Sequence, residues 1–240
     1  MTDFFSVVVP IHNEASYLED ALAEMQHELD PVSDSPVLLL VENGSTDDTL
    51  AVAERIAAST EQISVLTLPE ANYGGAMREG LLAAPGEWVV TFDIDYFSGR
   101  FISQLGELRE TADVVIASKR APGSDDRRSL LRRAGTLVFN RLVHLILGTK
   151  VSDTHGIKAF RRPVISELAP KVQLTKDLFD TELVLRAERA GYRIAEVPVS
   201  VWEQRKARSS YLRRVPGAVR GLFQLRSVLP SMERRNTTSR

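Results

Sequence analysis

The chain of 240 residues contains no cysteine, which excludes disulfide bonds and thiolate metal sites. It also lacks any apolar run near the ~18 residues that a membrane-spanning helix requires. The N-terminal residues have neither the basic region nor the apolar core of a secretion signal. We therefore expect a cytoplasmic protein without a membrane span.

An excess of charge of one sign is also missing, since 30 Lys and Arg residues nearly balance 32 Asp and Glu residues. The net charge of -2 argues against a nucleic-acid-binding protein. From Val201 onward, however, ten Lys or Arg residues stand against two Glu residues. Residues 209–230 interleave several of these arginines with apolar residues.

This C-terminal pattern is typical of a basic amphipathic helix on an anionic membrane surface. The alternative is a helix that docks on its own domain and leaves its arginines in water. We favour the former, which would hold the protein peripherally on the inner face of the cell membrane.

The sequence is rich in an alternation of β-type runs and helical patterns. Predicted strands occupy residues 4–11, 36–43, 63–68, 87–94 and 112–118. Predicted helices lie between them at residues 14–29, 46–59, 74–84 and 99–110. This alternation predicts an α/β fold with a mostly parallel sheet that is flanked by helices.

The second half of the chain has a different pattern. Helical patterns at residues 130–147 and 177–191 surround a candidate strand pair at residues 192–202. No internal repeat or low-complexity linker divides the chain. We expect residues 1–230 to form a single domain and residues 231–240 to form a polar tail.

Polar residues follow four of the predicted strands at the point where each strand ends. They occur in the segments PIHNE, VENGSTDDT, DID and SKR. Ligands of open parallel sheets bind beyond the carboxyl ends of the strands, so these segments predict the site. The alternative for Asn13, and for Ser45 with Asp48, is helix capping alone.

Asp93 and Asp95 are the strongest candidates for chemistry. Residues i and i+2 of an extended segment point the same way, so their two carboxylates would lie close together and repel. A divalent cation removes this conflict, and carboxylate oxygens suit Mg²⁺ or Mn²⁺ that also bridges to phosphates. The alternative is a solvated turn that binds nothing.

Two common nucleotide-binding loops do not fit the sequence. The first strand is followed by PIHNEAS and not by the glycine-rich turn of a dinucleotide oxidoreductase. The segment NYGGAMREG has glycines, but it has neither the Rossmann spacing nor the Lys-Ser/Thr of a P-loop.

In their order and spacing, VVVPIHNE, VENGSTDDT, NYGGAMREG and FDID resemble the family-2 glycosyltransferases, which have the GT-A fold with a Rossmann-like sheet. Within that family, VSDTHGIKAFRR, LFDTELVLRAERAGYRIAEVPVSV and RKARSSYLRR are similar to the dolichyl- and polyprenyl-phosphate sugar synthases. The resemblance extends from Val7 to about Arg214.

The resemblance implies roles for individual residues. Asp93 and Asp95 match the metal-binding D-x-D motif, which holds the donor diphosphate through Mg²⁺ or Mn²⁺. The residues expected to contact the donor nucleotide are Pro10, His12, Glu14, Glu42, Asn43 and Gly74. The basic residues expected to hold phosphates are Lys119, Arg132 or Arg133, and Arg205.

On the acceptor side, the resemblance implies that Asp153 and Gly156 belong to the acceptor motif. Glu182 matches an acid near the sugar or the acceptor, and its alternative is a buried salt bridge with a nearby arginine. We expect the catalytic residues to be Asp95, Glu182 and Arg205.

The implied reaction is an inverting transfer of a hexose from GDP-mannose or UDP-glucose to a polyprenyl phosphate. A phosphate acceptor needs only basic side chains to orient it. A soluble or glycolipid hydroxyl acceptor needs a carboxylate base, for which Glu182 and Asp180 are candidates.

The remaining alternative is a catalytically inactive protein that binds nucleotide sugars. It rests on two departures from the family pattern: Asn43 stands where the family often has an aspartate, and Phe97 stands where the lipid-phosphate synthases usually have a glutamine that completes the metal shell.

Overall fold

The fold was analysed in a computed structural model, which describes residues 5–32, 36–127, 129–175, 178–201 and 211–229. The helices are α1 Leu18–Leu29, α2 Thr49–Ala57, α3 Tyr73–Ala83, α4 Gly99–Leu108, α5 Leu130–Leu147, α6 Arg162–Leu168, α7 Phe179–Arg189 and α8 Tyr211–Val228. The strands are β1 Phe5–Ile11, β2 Val37–Asn43, β3 Ile63–Leu68, β4 Trp88–Thr91, β5 Val114–Ser118, β6 Asp125–Asp126, β7 Lys158–Arg161, β8 Ile194–Pro198 and β9 Ser200–Val201.

Seven strands form the central sheet in the order β3-β2-β1-β4-β7-β5-β8. Strand β7 runs antiparallel to β4 and β5, while every other pair in this sheet is parallel. The predicted α/β fold with a mostly parallel sheet is therefore confirmed. The short strands β6 and β9 form a separate parallel pair.

Both faces of the sheet are covered, as the continuous apolar strands predicted. Alternate residues of β1 show this directly, because Val7 and Val9 pack into one core cluster and Val8 packs into the other. The first cluster includes the apolar faces of α1 and α4, and the second includes those of α3, α6 and α7.

Helices α5 and α8 pack on each other in a third apolar cluster. Val143 and Leu147 of α5 meet Leu222 and Leu225 of α8 there. Leu178, just before α7, ties this helix pair to the rest of the molecule. Among the described helices, none combines the length and the apolar character needed to cross a bilayer.

Two features of the second half differ from expectation. The candidate strand pair at residues 192–202 is not a hairpin, because β8 pairs with β5 and β9 pairs with β6. Strand β7 was not predicted. Its four residues, KAFR, are too short and too mixed to show a period, and only tertiary pairing fixes them as a strand.

Candidate active site at the carboxyl edge of the sheet

The reversed strand β7 brings a new segment to the edge where the parallel strands end. Its first residue, Lys158, is in register with Thr91 at the end of β4 and with Ile116 of β5. Residues just before Lys158 therefore lie beside those that follow β4 and β5. This places the predicted acceptor motif next to the D-x-D motif.

The segments after β1 and β2 are joined by a hydrogen-bond network. The backbone N–H of Asn13 donates to Ser45 Oγ at 3.0 Å, and that of Thr46 donates to Asn13 Oδ1 at 2.8 Å. The alternative that Asn13 and Ser45 only cap helices is therefore wrong, because neither side chain caps α1 or α2. Asn13 has a φ of 55°, a conformation that asparagine tolerates better than most residues.

His12 is oriented by the same network. Its Nδ1 lies 2.8 Å from the carbonyl oxygen of Asn43, and its Nε2 lies 3.2 Å from Nδ2 of Asn13. A carbonyl oxygen only accepts, so Nδ1 carries the proton and Nε2 accepts from the amide of Asn13. These two hydrogen bonds therefore fix the orientation of the imidazole ring at the edge of the sheet.

The D-x-D motif is a turn and not an extended segment. Strand β4 ends at Thr91, and the backbone groups of Asp93 and Tyr96 exchange hydrogen bonds of 3.2 and 3.0 Å. Ile94 between the aspartates is buried in the core. The expected extended geometry is wrong, but both aspartates still face the same cleft.

This cleft has a volume of about 220 Å³. Six predicted site residues line it: Pro10, His12, Glu14, Asn43, Asp93 and Asp95. Three further lining residues, Ile11, Tyr73 and Ile94, were not predicted. Oδ1 of Asn43 accepts a hydrogen bond from the backbone N–H of Asn72 at 2.6 Å. The amide nitrogen of Asn43 is therefore the group that this side chain can offer to a ligand in the cleft.

Beyond Asp93 the cleft continues into a smaller recess that Asp180 borders. Oδ2 of Asp180 accepts hydrogen bonds from Lys158 Nζ at 3.0 Å and from Tyr73 Oη at 3.3 Å. The Lys158 ammonium is fully buried and also donates to the carbonyl oxygen of Gly156 at 2.6 Å. Asp180, which the sequence offered as one of two candidate bases, is thus the acid that reaches the site.

The cleft carries an excess of negative charge. The enclosing protein, followed by the charges of Asp180 and Asp95, raises the pKa of Asp93 to about 6, and Lys158 and Lys119 act in the opposite direction. Three carboxylates thus share the cleft with the Lys158 ammonium. The residual charge and the oxygen donors fit a divalent cation.

No group of three or more metal-binding side chains exists among the residues that the structure describes. Asp93 and Asp95 would therefore supply part of a coordination shell, as is usual for Mg²⁺ sites completed by water and substrate phosphates.

Lys119 does not face the cleft. Its Nζ forms an ion pair with Oδ2 of Asp153 at 3.0 Å and donates to the carbonyl oxygen of His155 at 3.0 Å. Burial raises the pKa of Asp153, but Lys119 and the other donors outweigh it and lower the pKa overall. In this structure Lys119 supports the loop of residues 152–156, which we call the acceptor loop, and its direct contact with a phosphate stays a prediction.

Glu42 and Gly74 also support the site without facing it. The buried carboxylate of Glu42 accepts from the backbone N–H of Ser45 at 2.6 Å. A Cβ on Gly74 would lie 2.5 Å from the backbone of Thr175, so glycine here permits close packing. Both residues therefore have structural roles here, and their contacts with a nucleotide stay predictions.

Glu182 is fully buried and its carboxylate is saturated. It accepts from Arg186 Nε at 2.8 Å and from the backbone N–H groups of Gln173 and Leu174 at 3.0 and 2.8 Å. The expected catalytic role is corrected to the alternative, a buried salt bridge. Sequence spacing showed Arg186 four residues later, which was the available signal.

Among the residues that the structure describes, none of the predicted arginines lines the cleft. Arg133 is exposed on α5, and Arg132 belongs to the same helix with its side chain outside the described part. Arg205 lies outside the described residues altogether. Their contacts with phosphates stay predictions.

Two residues of the site had weaker signals in the sequence. Tyr73 stands beside the glycines of NYGGAMREG, and the glycines are the more distinctive feature of that segment. Lys158 is a single lysine within the apolar segment GIKAF, a pattern that points to a paired, buried charge.

The Glu182–Arg186 pair gives a test of its structural role. Glu182→Gln should lower the free energy of unfolding by about 3 kcal/mol, because it leaves a buried guanidinium without its counter-charge. The double variant Glu182→Leu with Arg186→Met should lose less, since it removes both charges. Urea unfolding measures both, and equal stability of Glu182→Gln and the native protein would contradict the assignment.

Asp93 gives a test by pH. Its pKa of about 6 in the folded state lies above the ordinary aspartate pKa of 3.8, so the free energy of unfolding falls as pH rises between these values. Without divalent cations, Asp93→Asn should therefore be more stable than the native protein above about pH 6, by about 1 kcal/mol. The gain is limited because the carboxylate is open to solvent in the cleft.

The two proteins should unfold alike near pH 3, below the ordinary pKa of the carboxyl, where Asp93 is largely protonated in both states. Denaturant unfolding in a chelator at both pH values measures the difference. Asp20→Asn, which removes an exposed carboxylate from α1, is the control and should show no gain. A pH-independent difference for Asp93→Asn would contradict the charge repulsion.

Comparison with known proteins now assigns the chain. The family model "Glycosyl transferase family 2" matches residues 6–169. Glycosyltransferase AglD of Haloferax volcanii is 32% identical over 205 residues, which are 82% of this chain but only 33% of AglD. The dolichyl-phosphate hexose transferase of the same organism is 28% identical, with 84% of each chain covered.

A solved structure agrees in fold. Glucosyl-3-phosphoglycerate synthase of Mycobacterium tuberculosis, in complex with Mn²⁺, UDP and glucosyl-3-phosphoglycerate, has a TM-score of 0.65 and 23% sequence identity. The match covers 96% of this chain and 82% of that one. The sheet, the cleft at its carboxyl edge and the family match lead to one conclusion: this chain is a glycosyltransferase that belongs to glycosyltransferase family 2.

Proposed function

We propose that this protein is a metal-dependent, inverting glycosyltransferase that moves a hexose from a nucleotide diphosphate sugar to a polyprenyl phosphate. The observation that carries the proposal is the cleft in which His12, Glu14 and Asn43 adjoin the paired aspartates Asp93 and Asp95. We also propose that residues 1–230 act as one domain and work at the inner surface of the cell membrane.

The donor nucleotide would lie against the wall formed by Pro10, His12, Glu14 and Asn43. His12 and Asn43 are fixed by the β1–β2 network, so they present donors and acceptors in one arrangement. Such preorganisation lowers the entropic cost of binding a base and ribose. GDP-mannose and UDP-glucose are the candidate donors.

The diphosphate would be held through Mg²⁺ or Mn²⁺ by Asp93 and Asp95. When bound, the cation neutralises the negative charge that develops on the leaving nucleoside diphosphate. The solved relative contains Mn²⁺ together with UDP, which supports this part of the proposal. The turn from Asp93 to Tyr96 keeps the two carboxylates directed to the same side.

The acceptor class follows from the state of the acids near the cleft. Asp180 is bound to a buried ammonium and Glu182 to a guanidinium, so neither is a free base. A phosphate acceptor is already ionised and can attack the anomeric carbon without losing a proton to the protein. One relative is named a dolichyl-phosphate hexose transferase, which supports a polyprenyl phosphate as the acceptor.

The attack would come from the face of the sugar opposite to the leaving diphosphate. The new bond joins an acceptor phosphate oxygen to the anomeric carbon, and the bond from that carbon to the diphosphate breaks. The configuration at the anomeric carbon is therefore inverted.

A second candidate is transfer to a hydroxyl acceptor, soluble or in a glycolipid. The observation in its favour is the position of Asp180, which borders the recess beside Asp93. Asp180 would have to exchange its bond to Lys158 for one to the acceptor hydroxyl. The inactive, nucleotide-sugar-binding alternative predicts binding of the donor without transfer to either acceptor.

The test uses purified protein with Mn²⁺ or Mg²⁺ and radiolabelled GDP-mannose or UDP-glucose. Each donor is incubated with a polyprenyl phosphate or with the matched polyprenol, then partitioned between organic solvent and water. Label should enter the organic phase only with the phosphate. Asp95→Asn should lower this transfer at least about a hundredfold, since the metal-held leaving group is lost.

The control variant Asp20→Asn should transfer at the native rate. Transfer to polyprenol at a comparable rate would favour the hydroxyl acceptor. Full activity of Asp95→Asn would contradict the metal-dependent mechanism, and donor binding without any transfer would leave the inactive alternative.

A further inference from the structure

The outer surface of α5 is apolar where a helix on a protein surface is normally polar. Among the described residues, six large apolar side chains are exposed, and five of them belong to α5 and α8. These five are Leu130, Leu137, Val138, Leu145 and Phe223. Leu145 and Leu130 are 77% and 78% exposed, so they contribute nothing to the core.

The exposed residues of α5 fall on one face. Leu130, Ala134, Leu137, Arg141 and Leu145 recur at intervals of three or four residues, which places them along one side of the helix. The opposite side, with Val143 and Leu147, packs on α8. We call this exposed side, together with Arg133 and Val138, the outer face of α5.

The charge of the helix pair is of one sign. Neither α5 nor α8 contains an Asp or Glu residue, although the whole chain has 32 acidic residues. Arg133 and Arg141 on α5, and Arg220 and Arg226 on α8, are exposed to solvent. Because the net charge of the whole chain is -2, the rest of the chain carries an excess of acidic residues. Positive charge is therefore concentrated on α5 and α8.

A second copy of this chain does not suit this face, since pairing it with itself would bring arginines against arginines. Exposed leucine and valine side chains between arginines suit a bilayer interface, where the apolar groups enter the acyl boundary and the arginines meet anionic headgroups. Each such arginine adds to the electrostatic attraction by an anionic leaflet.

The buried side of α5 connects this face to the catalytic cleft. The ring of Phe139 meets the ring of His155 edge-on, with centroids 4.9 Å apart. Asn140 Nδ2 donates to the carbonyl oxygen of Ser152 at 3.0 Å. Gly156, one residue after His155, borders the recess beside Asp93.

We infer that the outer face of α5, assisted by α8, is a docking surface for an anionic phospholipid bilayer. This inference rests on the proposed function, because it assumes a lipid acceptor. It adds to that function the surface that brings the acceptor loop to the membrane. Docking would hold the loop from Ser152 to Gly156, which packs on the buried side of α5, within one helix diameter (~10 Å) of the lipid headgroups.

The test is sedimentation of the full chain with vesicles of phosphatidylcholine, either pure or mixed in equal parts with phosphatidylglycerol. The native protein should bind the mixed vesicles and lose binding in high salt. The double variant Val138→Gln with Leu145→Gln should weaken binding about tenfold, because two apolar side chains no longer enter the interface. Both positions are exposed, so the fold should be retained.

Leu82→Gln, an exposed apolar position on α3, is the matched control and should bind like the native protein. Arg141→Gln with Arg226→Gln should reduce both the affinity and its salt dependence. Absence of native binding, or equal binding by Val138→Gln with Leu145→Gln, would overturn the inference. A loss of self-association in that variant with unchanged vesicle binding would assign the face to a second copy instead.

Transfer to a short-chain, water-soluble isoprenyl phosphate separates this inference from the proposed function. The Val138→Gln, Leu145→Gln variant should use this acceptor at the native rate, since no bilayer is required. Vesicle binding without transfer would contradict only the function. Transfer to the short acceptor without vesicle binding would contradict only the docking surface.

Discussion

The buried ion pair between Lys158 and Asp180 is the interaction on which the site depends. A buried ammonium is strongly unfavourable unless charges and carbonyl groups surround it, and here Asp180 and the carbonyl oxygen of Gly156 do so. This requirement holds the first residue of β7, the start of α7 and the acceptor loop together. Gly156 and Asp180, which Lys158 holds together, both border the recess beside Asp93.

The reversed strand β7 explains why this edge can carry so much chemistry. In a purely parallel sheet, only segments that leave the strands would reach the carboxyl edge. An antiparallel strand enters the sheet there, so the residues before Lys158 are added to the site. The acceptor loop, the D-x-D turn and the nucleotide wall thus become neighbours although they are distant in the sequence.

Much of this arrangement could be predicted from the sequence. The apolar strands predicted a sheet that is covered by helices on both faces. The polar residues at the strand ends predicted the edge that carries the site, including Asp93, Asp95, His12 and Asn43. Side-chain direction was less accessible. Glu42 and Glu182 turn inward to satisfy backbone N–H groups, and that choice depends on loops whose course no local pattern reveals.

The proposed mechanism depends on the binding of a nucleoside diphosphate to Asp93 and Asp95 through a divalent cation. Calorimetric titration of UDP and GDP, with and without Mn²⁺, tests it most directly. One nucleotide should bind at least about tenfold more tightly with Mn²⁺, and Asp95→Asn should remove that gain while keeping the metal-free affinity. Equal affinity with and without Mn²⁺ for both nucleotides would contradict the account.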